Sequence, residues 1–429
     1  MKLLLLVAVA VPCGWLGFSA YLYLQVRNHM EQLRVDGYPT TIEEVLARYP
    51  EIPDDDNAAL ILEKAFAHLR KGEEELELLQ TLRKLPAESP LDGALRSRMQ
   101  TLVSEQQECL SVVREATKKP RARFDLKSDG TGIVAAPHID EMRKLADLLF
   151  FDAVLASEKG QSDEAVSDIR DLMKLDAFLR AEPMYSAQLS RIGFVDRGKI
   201  ATERLLARAT LDEIQLRSLG EAFAADSESP TDTLLLVVAA EGRTGMNLID
   251  PVVGGGNPSN PTPNWNWIGW AMFGPSRSMF AETERRILEA GHLPIHRRYR
   301  AAQAAVDKLD RWPFSWSLAT SMALSGLPGL FMADARSVAD ARVTLTSLAL
   351  ERYRTVHGAY PDDLTKLVPE FMAAIPIDPL DGKPLRYRCL DGGFVVYSVG
   401  YNGKDDGGSE ERGPQANKHA RDVVFKVAR

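Results

Sequence analysis

The chain reads as a mainly α-helical body followed by a small C-terminal α+β domain, with one transmembrane helix in front. Three observations predict this. Residues 3–24 carry no charge. From about 58 to 240, apolar residues recur at helical spacing. Beyond residue 385, short alternating runs separated by glycine-rich turns replace that period. A length of 429 residues allows two or three domains with their own cores. The expected division is an anchor over 1–26, a linker with a short helix over 27–57, a helical body over 58–333 and the α+β domain over 334–429. The net charge of −8 argues against a nucleic-acid partner, which requires a basic face.

The anchor comes first. Leu3 to Leu24 is a run of 22 uncharged residues, long enough at about 1.5 Å per residue to span a bilayer. Trp15, Tyr21 and Tyr23 suit an interface. A cleavable signal peptide would need small residues beyond the apolar core, and Phe18-Ser19-Ala20 places a bulky side chain there. An uncleaved anchor is therefore expected. Pro12 before Cys13 is unsuited to lipoprotein processing, and Cys13, Cys109 and Cys389 read as free thiols. In the linker, Thr41 with Glu44 three residues later forms a capping box for a short helix.

The body follows as helices near 58–71, 95–118, 139–157, 163–180, 188–208 and 212–225. Pro120, Gly130, Gly132 and Pro137 break the 119–138 stretch, where a short extended piece is expected. Residues 250–275, with three successive glycines and several prolines, read as a long loop. Trp265, Trp267 and Trp270 lie within it and form a candidate contact surface for a partner, a glycan or the bilayer interface. Helix resumes over 280–288 and 299–309, and a long helix covers 334–354.

Sequences specific to catalysis are absent: the phosphate loop, the nucleophile elbow and the zinc-protease helix do not occur. His292 and His296 have the spacing of two ligands on one helix face, but Pro294 lies between them. No catalytic residue is assigned. An enzyme that assembles its site from scattered residues of the helical body stays open as an alternative.

The tail carries the most specific pattern. Gly358 can end the long helix in a left-handed conformation and Pro361 blocks its continuation. Asp378-Pro379-Leu380-Asp381-Gly382 is dense in turn formers, and an alternating strand follows from Leu385. Asp391-Gly392-Gly393 signals a hairpin into Phe394–Val399. Asn402 to Gly408 packs two carboxylates, one amide and three glycines into seven residues, and residues 421–425 return as a last strand.

This order resembles the globular domain of the major pseudopilin of type II secretion systems. There a long helix leads through Gly-x-Tyr-Pro to an Asp-Pro strand entry, a hairpin and an acidic calcium loop. The resemblance covers the last quarter of the chain. It implies calcium near Ser398, Asp405, Asp406 and Asp422, and it implies a bulk that is periplasmic on a single-pass protein of the inner membrane. The uncharged segment and the pilin-like helix are about 300 residues apart, and the amino terminus lacks the prepilin processing pattern. A membrane-anchored binding or scaffold protein, with other envelope or secretion proteins as partners, is the expected function. The alternatives are the extracytoplasmic enzyme and a filament subunit.

Overall fold

The computed structural model describes residues 2–69, 74–130, 132–134, 136–253, 267–408 and 422–428 of the chain. Fifteen helices and five strands lie among them. The first helix, α1 (Lys2–Val35), is continuous from the uncharged stretch into the body. Then come α2 (Ile42–Leu46), α3 (Ala59–His68), α4 (Glu74–Lys84), α5 (Gly93–Glu105) and α6 (Gln107–Ala116). A short hairpin of β1 (Lys127–Ser128) and β2 (Ile133–Val134) sits in the broken stretch. It leads to α7 (His138–Glu158), α8 (Ser162–Leu179), α9 (Tyr185–Arg208) and α10 (Glu213–Ala224). The second half of the body holds α11 (Thr231–Val253), α12 (Trp267–Gly291), α13 (Ile295–Val306) and α14 (Phe314–Leu324). The long helix is α15 (Leu327–His357), followed by β3 (Arg386–Leu390), β4 (Gly393–Ser398) and β5 (Val423–Ala428).

The local signals explain most boundaries. The Thr41 hydroxyl accepts the N–H of Glu44, and Glu44 in turn accepts the N–H of Thr40. Asp212 and Gln215 form a reciprocal box at the start of α10. Gly358 ends α15 at φ 74°. Two expectations need correction. The helix expected over 95–118 is two helices, α5 and α6, separated at Gln106. The loop expected over 250–275 does not hold at either end: α11 runs to Val253 and α12 starts at Trp267, and residues 254–266 lie outside the described residues. The apolar run after Trp267 continues a helix packed along α1 and α14, and Pro275 lies inside it. The glycine and proline signal outweighed that packing in the sequence reading.

Two main hydrophobic cores organise the chain, and they do not follow the expected domain boundaries. The first joins α3 to α10 with the middle of α15 and one face of the C-terminal sheet. Phe150, Phe151, Phe178, Phe194 and Phe223 fill it. The second joins α11 to α14, the first turns of α15 and Leu33 of α1. A boundary at 333/334 would cut α15, which belongs to both. Its start contributes Leu327, Leu330 and Phe331 to the second core. Residues Ala339 to Leu350 serve the first. Among the described residues, no helix is long and apolar enough to cross a membrane. Most side chains of residues 2–23 lie outside them.

The C-terminal sheet is antiparallel in the order β3-β4-β5, as the alternating pattern predicts. Tyr387 pairs with Val396, and Val396 with Phe425. Phe394, Val396, Val423, Phe425 and Val427 face the first core. Val395, Tyr397 and Val424 form a small cluster on the other face. The period of two thus separates the faces.

Helix α9 secures the sheet. The Lys426 N–H donates to Glu203 Oε1 at 2.8 Å, which occupies an edge donor of β5. Lys199 donates to the Val424 carbonyl at 3.3 Å and lies 3.0 Å from Asp340 Oδ1 of α15. Burial opposes the charge on Lys199, but Asp340, Asp196 and Glu203 outweigh it and hold its pKa above the ordinary value. Removing one partner of a buried pair costs about 3–5 kcal/mol. Lys199→Met is expected to lose that much, measured by urea denaturation of the full chain. A change below about 1 kcal/mol would place the pair among those of no consequence.

Candidate functional site

The acidic end of the C-terminal domain is built on one turn. The Asp378 N–H donates to the Lys383 carbonyl at 2.6 Å, and the Gly382 N–H donates to the Asp378 carbonyl at 2.9 Å. Gly382 takes φ 77° there, a conformation costly for other residues. The turn buries the Asp378 carboxylate completely. Its Oδ1 accepts from the Leu380 N–H at 2.9 Å and from Ser398 Oγ at 2.7 Å. Its Oδ2 accepts from the Val399 N–H at 2.9 Å and from Arg386 Nη1 at 2.5 Å. Burial raises the pKa of Asp378, while the Ser398, Leu380 and Val399 donors oppose that rise.

Arg386 connects this turn to the acidic loop. One nitrogen binds Asp378, another binds Asp381, and Nε lies 3.5 Å from Asp405 Oδ2. Three carboxylates therefore face one guanidinium. Asp405 Oδ1 accepts from the Gly407 N–H at 2.9 Å and from the Tyr397 hydroxyl at 3.1 Å. The Gly407 bond is the leading cause of its lowered pKa. Asp406 accepts from Asn402 Nδ2 at 3.0 Å. Asp422, from the start of the last strand, accepts the Gly408 N–H at 2.8 Å and the Asp406 N–H at 3.4 Å. Burial raises its pKa.

Of the four residues assigned to calcium, Asp405, Asp406 and Asp422 share this loop. Ser398 is turned away from them, onto Asp378. Among the described residues, no three of His, Cys, Asp and Glu are grouped to hold a metal ion. Calcium takes six to eight oxygens aimed at one point. The oxygens here are turned onto backbone N–H groups, Tyr397, Asn402 and Arg386, so the residues as they stand do not fit the ion. The sequence reading missed Asp378, Arg386 and Tyr397. In sequence Asp378 looks like a turn former only. Arg386 and Tyr397 oppose each other across the β3–β4 ladder, and that register was the available signal.

The tryptophans divide differently. Trp265 lies outside the described residues. Trp267 and Trp270 stand in the first turn of α12, not in a loop. His292 and His296 are not ligands on one helix face, because Pro294 is the N-cap of α13 and His292 precedes it. His292 instead meets the Tyr38 hydroxyl at 2.5 Å.

A large open groove of about 760 Å³ lies between α10, α15 and residues 371–377. Its apolar floor includes Leu216, Leu345, Leu348, Phe371 and Ile375. Two carboxylates with strongly raised pKa lie elsewhere. Burial pushes Asp168 up to about 7 and Asp176 up to about 8. Asp168 meets Arg114 at 2.7 Å and Asp176 meets Arg191 at 3.0 Å, both in helix packing. Groove and shifted carboxylates therefore do not coincide, as a general acid or base in a cleft would require.

Comparison with protein-family models, with curated proteins and with solved structures gives no match.

Two outcomes follow from the acidic turn. Asp378→Ala leaves Arg386 and Ser398 without their buried partner and is expected to cost about 3–5 kcal/mol, with Asp378→Asn costing less; denaturation with Tyr387 or Tyr397 as local probe measures it. The full chain is expected to melt at the same temperature in calcium and in chelator, since an ion that binds only the folded form would raise it. A calcium-dependent rise that Asp405→Ala removes would restore the ion to the loop.

Proposed function

We propose that the protein is a membrane-anchored binding or scaffold component of a bacterial envelope. It is held by the uncharged stretch of residues 3–24, with its bulk on the periplasmic side and a pseudopilin-like tail. The observation that carries this reading is the order of elements in the tail. A long helix, a left-handed glycine cap, an Asp-Pro turn, a hairpin, an acidic loop and a closing strand succeed one another as in that family. The composition fits a soluble extracytoplasmic body, and the continuity of α1 from residue 2 into the second core fits an anchor joined to it without a linker.

A filament subunit is the weaker alternative. A pilin assembles through the helix that enters its globular domain, whereas α15 is walled in by α9, α10 and α13. An enzyme is also weaker, because the groove lacks the shifted carboxylates. Partners among other envelope or secretion proteins remain part of the proposal, with the groove and the exposed edge of β3 as available surfaces.

Fractionation tests the anchor. The full chain is expected to stay with membranes through carbonate washing, and a chain lacking residues 2–24 is expected in the soluble fraction. Recovery of the full chain as a soluble protein would end this reading.

A further inference from the structure

The open groove between α10 and α15 has fixed ends, a wall of unpaired main chain and an acidic rim. We propose that it holds an extended peptide of about four or five residues, with small apolar side chains and one lysine or arginine. The proposal rests on the binding reading given above and names the site and the class of partner.

The two helices set the length. Arg352 pairs with Glu213, the first residue of α10, and Arg342 donates to the Ser227 carbonyl just beyond its end. The helices are therefore antiparallel. Residues 371–377 follow on the other side. Arg352 also donates to the Phe371 carbonyl at 3.1 Å, and Arg342 to the Ile377 carbonyl at 2.6 Å. Each arginine thus reaches from α15 to both walls and holds them apart. The two arginines are ten positions apart on α15, about 15 Å. An extended chain covers that distance in about four or five residues.

Between the arginines the walls carry little side chain. Gly220 and Ala224 line the groove from α10, and Ala373 and Ala374 from the opposite wall. A Cβ at Gly220 would meet nothing within 4 Å. The opposite wall also has a free main chain. The Met372 N–H donates to the Leu367 carbonyl and the Asp378 N–H to the Lys383 carbonyl. Among the described residues, the N–H and carbonyl groups of Ala373, Ala374 and Ile375 have no hydrogen-bond partner. An extended peptide can use both features: its amides bond the wall while alternate side chains enter the apolar floor. A helix satisfies its own main chain and would leave the wall unused. An acyl chain would use the floor alone.

The rim selects the charge. Arg342 and Arg352 are each 15% exposed and already engaged with carbonyls and carboxylates. Arg217 is taken by Glu213. Glu221 is exposed and has no ion-pair partner among the described residues. Glu228 is 79% exposed and lies 3.5 Å from Arg342. Two exposed carboxylates therefore stand over a groove whose guanidiniums are occupied. A basic side chain of the peptide would meet them near the Ala224 end.

Fluorescence anisotropy tests this with the full chain in lipid nanodiscs, against empty nanodiscs as blank. The probe is a pool of dye-labelled five-residue peptides with Ala, Val or Leu at the first four positions and Lys at the last. A second pool ends in Glu, and a third is the Lys pool with N-methylated amides. The Lys pool is expected to bind more tightly than the Glu pool, and the N-methylated pool not at all. Gly220→Leu fills the groove from open space and removes a helix glycine, so the fold is kept. It is expected to weaken binding at least about tenfold without lowering the melting temperature. Glu221→Lys together with Glu228→Lys is expected to reverse the preference between the Lys and Glu pools, which a folding defect would not do. Equal binding of the parent and N-methylated pools, unchanged binding by the Gly220→Leu chain, or binding of no pool would each overturn the proposal. If the Lys pool does not bind while the full chain still captures envelope proteins from membranes, the groove falls and the binding reading stands.

Discussion

The buried charges between α9, α15 and the last strand decide how this chain is put together. Lys199, Glu203 and Asp340 sit where two helices meet the edge of a sheet. A free sheet edge exposes donors and acceptors that must be satisfied or covered. Here a helix of the body supplies the acceptor for one edge donor and the donor for one edge carbonyl. Placing an ammonium and a carboxylate in the interior is costly unless each finds its partner. The pairing therefore works only in one docking geometry. It selects the arrangement of tail on body more sharply than apolar contact alone would, since apolar surfaces tolerate sliding.

The same principle recurs in smaller form at the acidic turn. Five aspartates, Asp378, Asp381, Asp405, Asp406 and Asp422, would repel one another in an open loop. Arg386 faces three carboxylates, and backbone N–H groups take up Asp422. Part of the repulsion is offset within the chain, by one guanidinium and by neutral donors. Second-core packing follows it too: Arg243 and Glu284 pair inside a helical bundle, and Gly242 leaves the room that the Glu284 carboxylate occupies.

Much of this was legible in the sequence, and the failures have identifiable causes. Helical spacing located α7 to α10 within a few residues, because each carries apolar residues at helical spacing along its whole length. The three tail strands were legible from the switch of period and from Gly392 and Gly382. The start of α12 was not, since glycine and proline signals are local and the packing that overrides them comes from α1, more than 200 residues away in sequence. The role of Asp378 was hidden for a related reason. A turn aspartate and a buried hub aspartate look alike until the strand register shows which arginine arrives opposite. Membership of α15 in two cores was invisible because apolar residues surround it on several faces, and spacing alone does not say which neighbours cover them.

That last feature has a mechanical consequence. Helix α15 is a 31-residue rod, about 46 Å long at 1.5 Å per residue. One end is gripped by the helices beside α1 and the other by the sheet. A rod clamped at both ends transmits tilt without a hinge between. Whatever leans on the amino-terminal end of the molecule moves the acidic turn by a lever, and whatever seizes that turn pulls on the other end. Tail and body behave as one strut. A chain ended near residue 333 would keep Leu327, Leu330 and Phe331 in the second core and would lose the α15 wall of the first.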